Sequence, residues 1–193
     1  MKRQIRDRKN IRLGLVLILL VGSLALNLRL FTEHREGKLA VADGINRTMS
    51  IVQSADSQLN AAIYTIEDGA GAPESLYAIG IVQTRLAEAK GLLQGLDRYA
   101  SFEMVRTIYA FEYYLSNELE NKWIEGDAAV DASREQVLAE LRSMKLDLSA
   151  LAGLGQQTSK SAYDMNELSE QWKLTMEQRI QEDPDTFVHK ELK

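Results

Sequence analysis

The sequence predicts an all-α protein in which a single N-terminal transmembrane helix precedes an antiparallel, up-and-down bundle of four to five helical segments. Three observations predict this fold. Residues that favour helices dominate the composition, and only two prolines occur among 193 residues. Sixteen consecutive residues near the N-terminus, 13–28, carry no charge. Beyond them, apolar residues recur at steps of three and four, which is typical of helices that bury one face.

The N-terminal segment has the charge pattern of a membrane anchor. Residues 1–12 contain six basic side chains and one acid, whereas the whole chain has a net charge of −5, so the remainder is acidic. Because basic clusters beside apolar segments stay in the cytoplasm, we expect a cytoplasmic leader at 1–10 and an extracytoplasmic bundle at 32–182. The protein would then be a single-pass protein of the cell membrane. The acidic balance of the bundle argues against nucleic-acid binding.

We expect the transmembrane signal-anchor helix to cover residues 11–31 and to contact the lipid bilayer. A bilayer core takes roughly 20 helical residues, which is more than the uncharged run provides. Arg12 and Arg29 would therefore lie near the two interfaces, with their charged ends in water. The alternative is a cleaved signal peptide, because Ser23 and Ala25 are small residues that signal peptidase accepts. Cleavage near Ala25 would secrete the bundle.

The first bundle helix is predicted by apolar residues that recur along one face. They are Ala42, Ile45, Met49, Val52, Leu59, Ile63 and Ile66. Asp56 interrupts this face. Since unpaired charges avoid burial, the first interpretation is a half-exposed defect that Ala55 fills. The alternative is an acid that fixes the alignment of the helices or contacts a ligand.

The second helix follows a loop with the sequence EDGAGAPES, residues 67–75, in which Pro73 suits the first helical turn. Its apolar face comprises Leu76, Ile79, Val82, Leu86, Ala89, Leu93, Leu96 and Ala100. Gly80, Gly91 and Gly95 each weaken a helix by up to about 1 kcal/mol relative to alanine, so they predict close backbone contact or bending. We place the end of this helix at Ser101, although neither proline nor glycine forces a break there.

The third segment, residues 102–123, contains much of the aromatic content. At 100° per residue, Tyr109 and Tyr113 share one face, while Phe111 lies on another face together with further apolar residues. We therefore expect this helix to lie centrally in the bundle. Alternatively, Tyr109, Tyr113 and Trp123, together with Asp56, belong to a face that binds a partner or a ligand, because tyrosine and tryptophan are enriched at interfaces.

Two further helices complete the predicted bundle. The fourth begins after Gly126 and Asp127, and the fifth ends before Pro184, with a turn at residues 152–159 between them. Their apolar faces comprise Val130, Val137, Leu141, Met144, Leu148 and Leu151, and Met165, Leu168, Trp172, Met176 and Ile180. We expect residues 183–193 to be a flexible polar tail.

The sequence contains no recognisable catalytic constellation. Its two histidines, His34 and His189, fall beside the predicted anchor and in the predicted tail, so we expect both to be surface residues. Motifs of phosphate-binding loops, zinc proteases and serine hydrolases do not occur, and the absence of cysteine excludes disulfides and thiolate chemistry. We therefore predict no catalytic residue, cofactor or metal ligand, and a protein that is not an enzyme.

These observations together predict a membrane-anchored protein of a bacterial envelope. Its acidic helical bundle would bind another membrane or envelope protein, or a second copy of itself. The alternative is an extracytoplasmic ligand-binding sensor or accessory module. In layout, the chain resembles the outward-facing helical sensor modules of bacterial transmembrane receptors, although this resemblance specifies no residues.

Overall fold

Residues 2–96, 102–119, 130–157 and 165–193 are described by the structure, a computed structural model. The side chains of residues 2–19, 21, 25, 130–133, 156 and 157 lie outside that description. As predicted, the regular structure of the described residues is entirely helical. The elements are α1 (Lys2–Glu67), α2 (Ala72–Gly95), α3 (Phe102–Tyr113), a π-helical turn (Tyr114–Leu119), α4 (Val130–Gln157), α5 (Met165–Glu182) and α6 (Phe187–Leu192).

The chain divides into two units, residues 1–40 and residues 41–193. In the first unit, the described side chains from residue 20 onward are all exposed. The large apolar ones are Leu20, Leu24, Leu26, Leu28, Leu30, Phe31 and Leu39. Within the part of the chain that the structure describes, no helix has a stretch long and apolar enough to cross a bilayer. In the predicted anchor at 11–31, the side chains of 11–19, 21 and 25 lie outside the described residues.

The second unit has the apolar core that the helical spacing predicts. In α1 the predicted face is buried, except that Ala42 is half-buried. Ala55 is fully buried, as expected for a residue that fills the place beside Asp56. In α4 and α5, nine residues of the predicted faces are buried, whereas Ile180 is only half-buried; the nine are Val137, Leu141, Met144, Leu148 and Leu151, and Met165, Leu168, Trp172 and Met176. Val130 lies outside the described side chains.

Contacts between residues show that α1 and α4 run antiparallel, and so do α4 and α5. Residue numbers rise along one helix while they fall along its partner. The pairs are Met49–Gly155, Asp56–Lys145 and Glu67–Arg142 between α1 and α4, and Asp147–Arg179 and Ser143–Asp183 between α4 and α5. The helical bundle is therefore confirmed for the described helices.

Helix α3 lies centrally, as predicted, since it contacts α2, α5 and α6. Its face containing Ile108 and Phe111 is fully buried. The π-helical turn that follows was not predicted, and it places two consecutive side chains, Tyr114 and Leu115, in the core. A π turn holds more residues than an α turn, so the 100° rule fails at this point.

The predicted loop after α1 is confirmed, whereas the close backbone contact expected at the three glycines of α2 is not found. Gly69, just after α1, has φ of 84°, a left-handed conformation that favours glycine, and Pro73 lies in the first turn of α2. Gly80, Gly91 and Gly95 of α2 have open space around them, so close packing does not explain them.

The predicted turn at residues 152–159 is also wrong in its first part, because α4 continues to Gln157. Within this stretch a Cβ on Gly155 would lie 3.0 Å from the Cβ of Met49. Ala152 and Leu154 are buried. The glycines that suggested a turn therefore lie inside a helix, and one of them allows α4 to approach α1 closely.

The flexible tail predicted for residues 183–193 contains a helix instead. Thr186 caps α6, and its side-chain oxygen accepts a hydrogen bond from the backbone N–H of His189. Val188 and His189 are buried against the other helices of the unit. The sequence-based expectation missed this helix because a six-residue segment is too short to display a helical period.

Candidate functional site

Two tyrosines of α3 lie side by side on the surface of the bundle. Tyr109 and Tyr113 are four residues apart, so they project from the same side of the helix. Their ring centroids are 6.1 Å apart, with an angle of 30° between the planes. The exposed fractions of the two residues are 53% and 37%. The sequence-based expectation that they share one face is confirmed.

A charged pair flanks this tyrosine pair. Lys90 of α2 forms an ion pair with Glu112 of α3, and its ammonium nitrogen lies 5.6 Å from the ring centroid of Tyr109. That distance suits a cation–π interaction, which holds the lysine over the aromatic ring. The surface thus combines an aromatic centre with both signs of charge.

Helix α6 contributes the third aromatic ring. Phe187 stacks on Tyr113, with ring centroids 6.2 Å apart and planes at 17°, and it also contacts the buried Tyr114 at 5.5 Å. We call Lys90, Tyr109, Glu112, Tyr113 and Phe187 the tyrosine surface. Because Phe187 belongs to α6, the shape of this surface depends on whether α6 is docked.

Tyr114 is fully buried, and its ring contacts Phe187 of the tyrosine surface. Burial raises its pKa far above the ordinary value, and the negative charges of Glu140 and Glu118 raise it further. Tyr114 therefore remains a neutral phenol at any physiological pH, and no ionised tyrosine forms under the aromatic rings.

A buried polar cluster connects α6 to α4 and α5. Asp147 of α4 accepts a hydrogen bond on Oδ1 from Nε of Arg179, and its Oδ2 lies 2.8 Å from Nε2 of His189. The other ring nitrogen of His189, Nδ1, faces the backbone carbonyl of Asp183. Asp147 and His189 are almost completely buried.

This geometry fits a protonated His189. Burial lowers its pKa, but the hydrogen bonds to Asp147 and to the carbonyl of Asp183, together with the negative charge of Asp147, outweigh that effect. The positive charge of Arg179 opposes them only weakly, so the net result is a raised pKa. The expectation that His189 is a surface residue is wrong, because α6 carries it into the bundle.

Three further hydrogen bonds hold α6. The carboxylate of Glu140 accepts from the backbone N–H of Phe187 at 3.0 Å. Arg106 of α3 donates to the backbone carbonyl of Glu191 at 2.7 Å. Lys193 donates to the carbonyl of Pro184 at 3.1 Å. The first two connect α6 to α4 and α3.

The buried cluster is not arranged for acid–base or nucleophilic catalysis. Both ring nitrogens of His189 already face oxygen acceptors, so neither can take a proton from a substrate. The hydroxyl of Ser143 donates to Asp183 at 2.9 Å rather than to the histidine, so a serine nucleophile is not activated here. Within the ranges that the structure describes, no group of three acidic or histidine side chains could hold a metal ion.

Asp56, which the sequence grouped with the tyrosines, lies in a different place. Its Oδ1 is 2.8 Å from Nζ of Lys145 and accepts a hydrogen bond from the hydroxyl of Ser149 at 2.7 Å. These contacts connect α1 to α4. Asp56 therefore bridges two helices within the bundle and is not part of the tyrosine surface.

The remaining residues that the sequence singled out lie elsewhere or outside the description. Arg29 is exposed and forms an ion pair with Glu33 at 2.8 Å. The side chain of Arg12 and all of Trp123 lie outside the described residues. His34 is exposed, as expected.

Sequence reasoning missed Asp147 and His189, although two signals pointed to them. Asp147 lies three residues after Met144 and four before Leu151, which places an acid beside the apolar face of α4. Thr186 follows Pro184 and precedes an apolar residue, which is a helix-start signal. An acid on a buried helix face predicts a buried cationic partner.

The described residues line a larger and a smaller cavity. A groove of about 530 Å³ between α1 and α2 is lined mainly by small or apolar residues: Gln58, Ala61, Ala62, Thr65, Pro73, Glu74, Tyr77, Ala78 and Ile81. A smaller one of about 190 Å³ lies among α3, α5 and α6, beside Trp172 and Arg106. Neither is lined by Tyr109 or Tyr113, so the ligand cavity that the sequence suggested around them is not found in these two places.

The chain matches no known protein family, no curated protein and no solved structure.

Proposed function

We propose that this chain is a single-pass, membrane-anchored protein of a bacterial envelope, and that its acidic helical bundle binds another protein through the tyrosine surface. The observation that carries the proposal is the pair of exposed, adjacent tyrosines flanked by an ion pair. Tyrosine gives a large contact area at low entropic cost, and its hydroxyl tolerates both water and burial. Such residues concentrate the binding energy of protein interfaces.

The chemistry of the buried cluster supports a binding function rather than an enzymatic one. Asp147 binds both Arg179 and His189, so the buried acid and the buried imidazole are engaged within the bundle. By contrast, the rings of Tyr109 and Tyr113 meet solvent. The exposed tyrosines therefore suit binding of a partner better than catalysis.

The proposed anchor rests on residues 11–31. The uncharged run and the basic leader motivate it, and the exposure of Leu20, Leu24, Leu26, Leu28 and Leu30 supports it. Moving such exposed leucine side chains from water into lipid is favourable in free energy, and a large apolar patch is rarely left in contact with water. We propose that lipid covers them, with the N-terminus in the cytoplasm and the bundle outside.

A crosslinking experiment tests the interaction surface. A photoreactive amino acid placed at position 109 should yield a discrete crosslinked product in cells of the native host. The product should disappear when Tyr113→Ala is added, because the partner would lose the ring that lies between Tyr109 and Phe187. The control is the same probe at Tyr77, an exposed tyrosine of α2 that lies outside the surface. Equal products from positions 77 and 109 would contradict the proposal.

A labelling experiment tests the proposed topology. Because the chain has no cysteine, Ser57→Cys introduces a single thiol at an exposed position. A thiol reagent that cannot cross the cytoplasmic membrane should label it in intact cells. Labelling only after lysis would exclude an extracytoplasmic bundle. The mass of the mature protein distinguishes a retained anchor, which keeps residues 11–31, from cleavage near Ala25.

A ligand-binding sensor or accessory module is the second candidate, and the groove between α1 and α2 favours it. Its volume of about 530 Å³ lies within the range of small-molecule sites. Screening small apolar compounds for a rise in the melting temperature tests it. Replacing Ala61, an exposed residue that lines the groove, with Trp should abolish any such rise by filling the groove, whereas an unchanged rise would place the ligand elsewhere.

A further inference from the structure

Helix α6 depends on its contacts with the rest of the bundle. It has six residues, and isolated helices shorter than about 12 residues are marginal in water. Its apolar contacts come from Phe187, Val188 and Leu192, and its buried polar contact comes from His189. The docking of α6 is therefore sensitive to the state of one side chain.

The two ring nitrogens of His189 face atoms that can only accept a hydrogen bond when Asp147 is ionised. Nδ1 faces the carbonyl oxygen of Asp183, and Nε2 faces Oδ2 of Asp147 at 2.8 Å. An imidazolium donates to both. A neutral imidazole has one N–H, so one nitrogen lone pair would point at an oxygen, and a buried acceptor would lose its donor.

The charged groups around His189 come from every element that packs on it. Asp147 on α4 attracts the imidazolium, and Glu140 on the same helix binds the start of α6. Arg179 on α5 shares Asp147 and is itself paired with Glu182. Further charged groups on these elements are Arg106 on α3, Asp183 in the preceding turn, Lys190 and Glu191 on α6, and Lys193 after it. Among these groups, histidine has the ordinary pKa closest to neutrality.

We propose that α6 is a proton-dependent latch, which stays docked on α3, α4 and α5 while His189 is protonated and is released when His189 loses its proton. Release would remove Phe187 from its stack on Tyr113 and uncover Tyr114. The latch would thereby reshape the tyrosine surface, although its existence does not depend on what that surface binds.

The direction of the response follows from the raised pKa of His189. A histidine whose pKa is higher when α6 is docked stabilises docking fully below its ordinary pKa of about 6.5. That stabilisation decreases as the pH rises from there through the raised pKa. Between pH 6.5 and the raised pKa, the fraction of molecules in which α6 is released grows by up to about tenfold per pH unit, since one proton is lost.

Thiol labelling of the full-length chain measures this release without any partner. Val188→Cys places a lone thiol in the buried face of α6, and Lys190→Cys places one on its exposed face. The ratio of their labelling rates cancels the effect of pH on the thiol itself. We expect this ratio to rise with pH above about 6.5, by up to about tenfold per unit.

Three controls make the experiment decisive. His189→Gln should give a high ratio that does not change with pH, whereas His34→Gln, at the other histidine, should keep the full pH response. A thiol at Val82, in the core of α2, should stay protected throughout. A pH-independent ratio in the parent chain would overturn the proposal, even if His189→Gln fails to fold. A response that survives His189→Gln, or parallel exposure of position 82, would also overturn it.

Discussion

The Oδ2 atom of Asp147 lies 2.8 Å from the Nε2 atom of His189, and both side chains are almost completely withdrawn from solvent. The residues are 42 positions apart in sequence, so their contact connects α6 to α4. Since Arg179 binds the other carboxylate oxygen, one buried acid serves two cationic groups. The loss of Asp147 would leave both without their common counter-charge.

The first prediction concerns this shared acid. Asp147→Asn should lower the free energy of unfolding by about 3 kcal/mol, because removing one partner strands buried charge. Urea unfolding followed by circular dichroism measures the change. Glu177→Gln on the exposed face of α5 is the control and should alter stability by less than about 0.5 kcal/mol. Equal stability of the parent chain and Asp147→Asn would remove Asp147 from the stabilising contacts.

The second prediction concerns the pH dependence of global stability. Because the pKa of His189 is raised in the folded protein, its contribution is complete below about pH 6.5 and declines as the pH rises through the raised value. The free energy of unfolding, measured from pH 6 to pH 9, should therefore include a fall as the pH rises. The same series on His189→Gln should lack it. A larger decline in the variant than in the parent chain would reverse the assigned sign.

The third prediction tests the core of α4. Leu141 is fully buried, so Leu141→Asp should cost more than about 4 kcal/mol, because a charge would enter an apolar core. We expect loss of the cooperative melting transition. Leu146 of the same helix is exposed, and Leu146→Asp is therefore the matched control, with little expected effect. If both variants melt alike, the assignment of the buried face is wrong.

The fourth prediction tests the ion pair between α1 and α4. A double-mutant cycle with Asp56→Asn and Lys145→Met should give a coupling energy of about 1 kcal/mol, because both side chains are partly shielded from water. The exposed pair Arg85–Glu88 on α2 is the comparison, and its coupling should be about 0.3 kcal/mol. A coupling near zero for the first pair would mean that water screens it completely.

The helical period explains why much of the core could be predicted from the sequence. Met49, Val52, Leu141 and Leu148 are buried because a regular spacing places them on one face, and such spacing needs no knowledge of the neighbouring helices. The adjacency of Tyr109 and Tyr113 follows from the same geometry. These predictions depend on local order alone.

The buried cluster could not be predicted in this way. The pairing of Asp147 with His189 depends on how α6 folds back onto α4, and sequence spacing carries no information about that return. Asp56 illustrates the same limit, since its contact with Lys145 arises only when α1 and α4 are adjacent. Gly155 looked like a turn residue because the sequence alone does not reveal that Met49 packs against it.

The three contacts between α1 and α4 also have a mechanical consequence. Gly155 meets Met49, Asp56 meets Lys145, and Glu67 meets Arg142 at successive points along the two helices. Sliding one helix past the other by one turn, about 5.4 Å, would part both ion pairs and bring Met49 against a residue that carries a side chain. The helix pair therefore resists shear, and a force applied along residues 41–67 of α1 would be transmitted to α4.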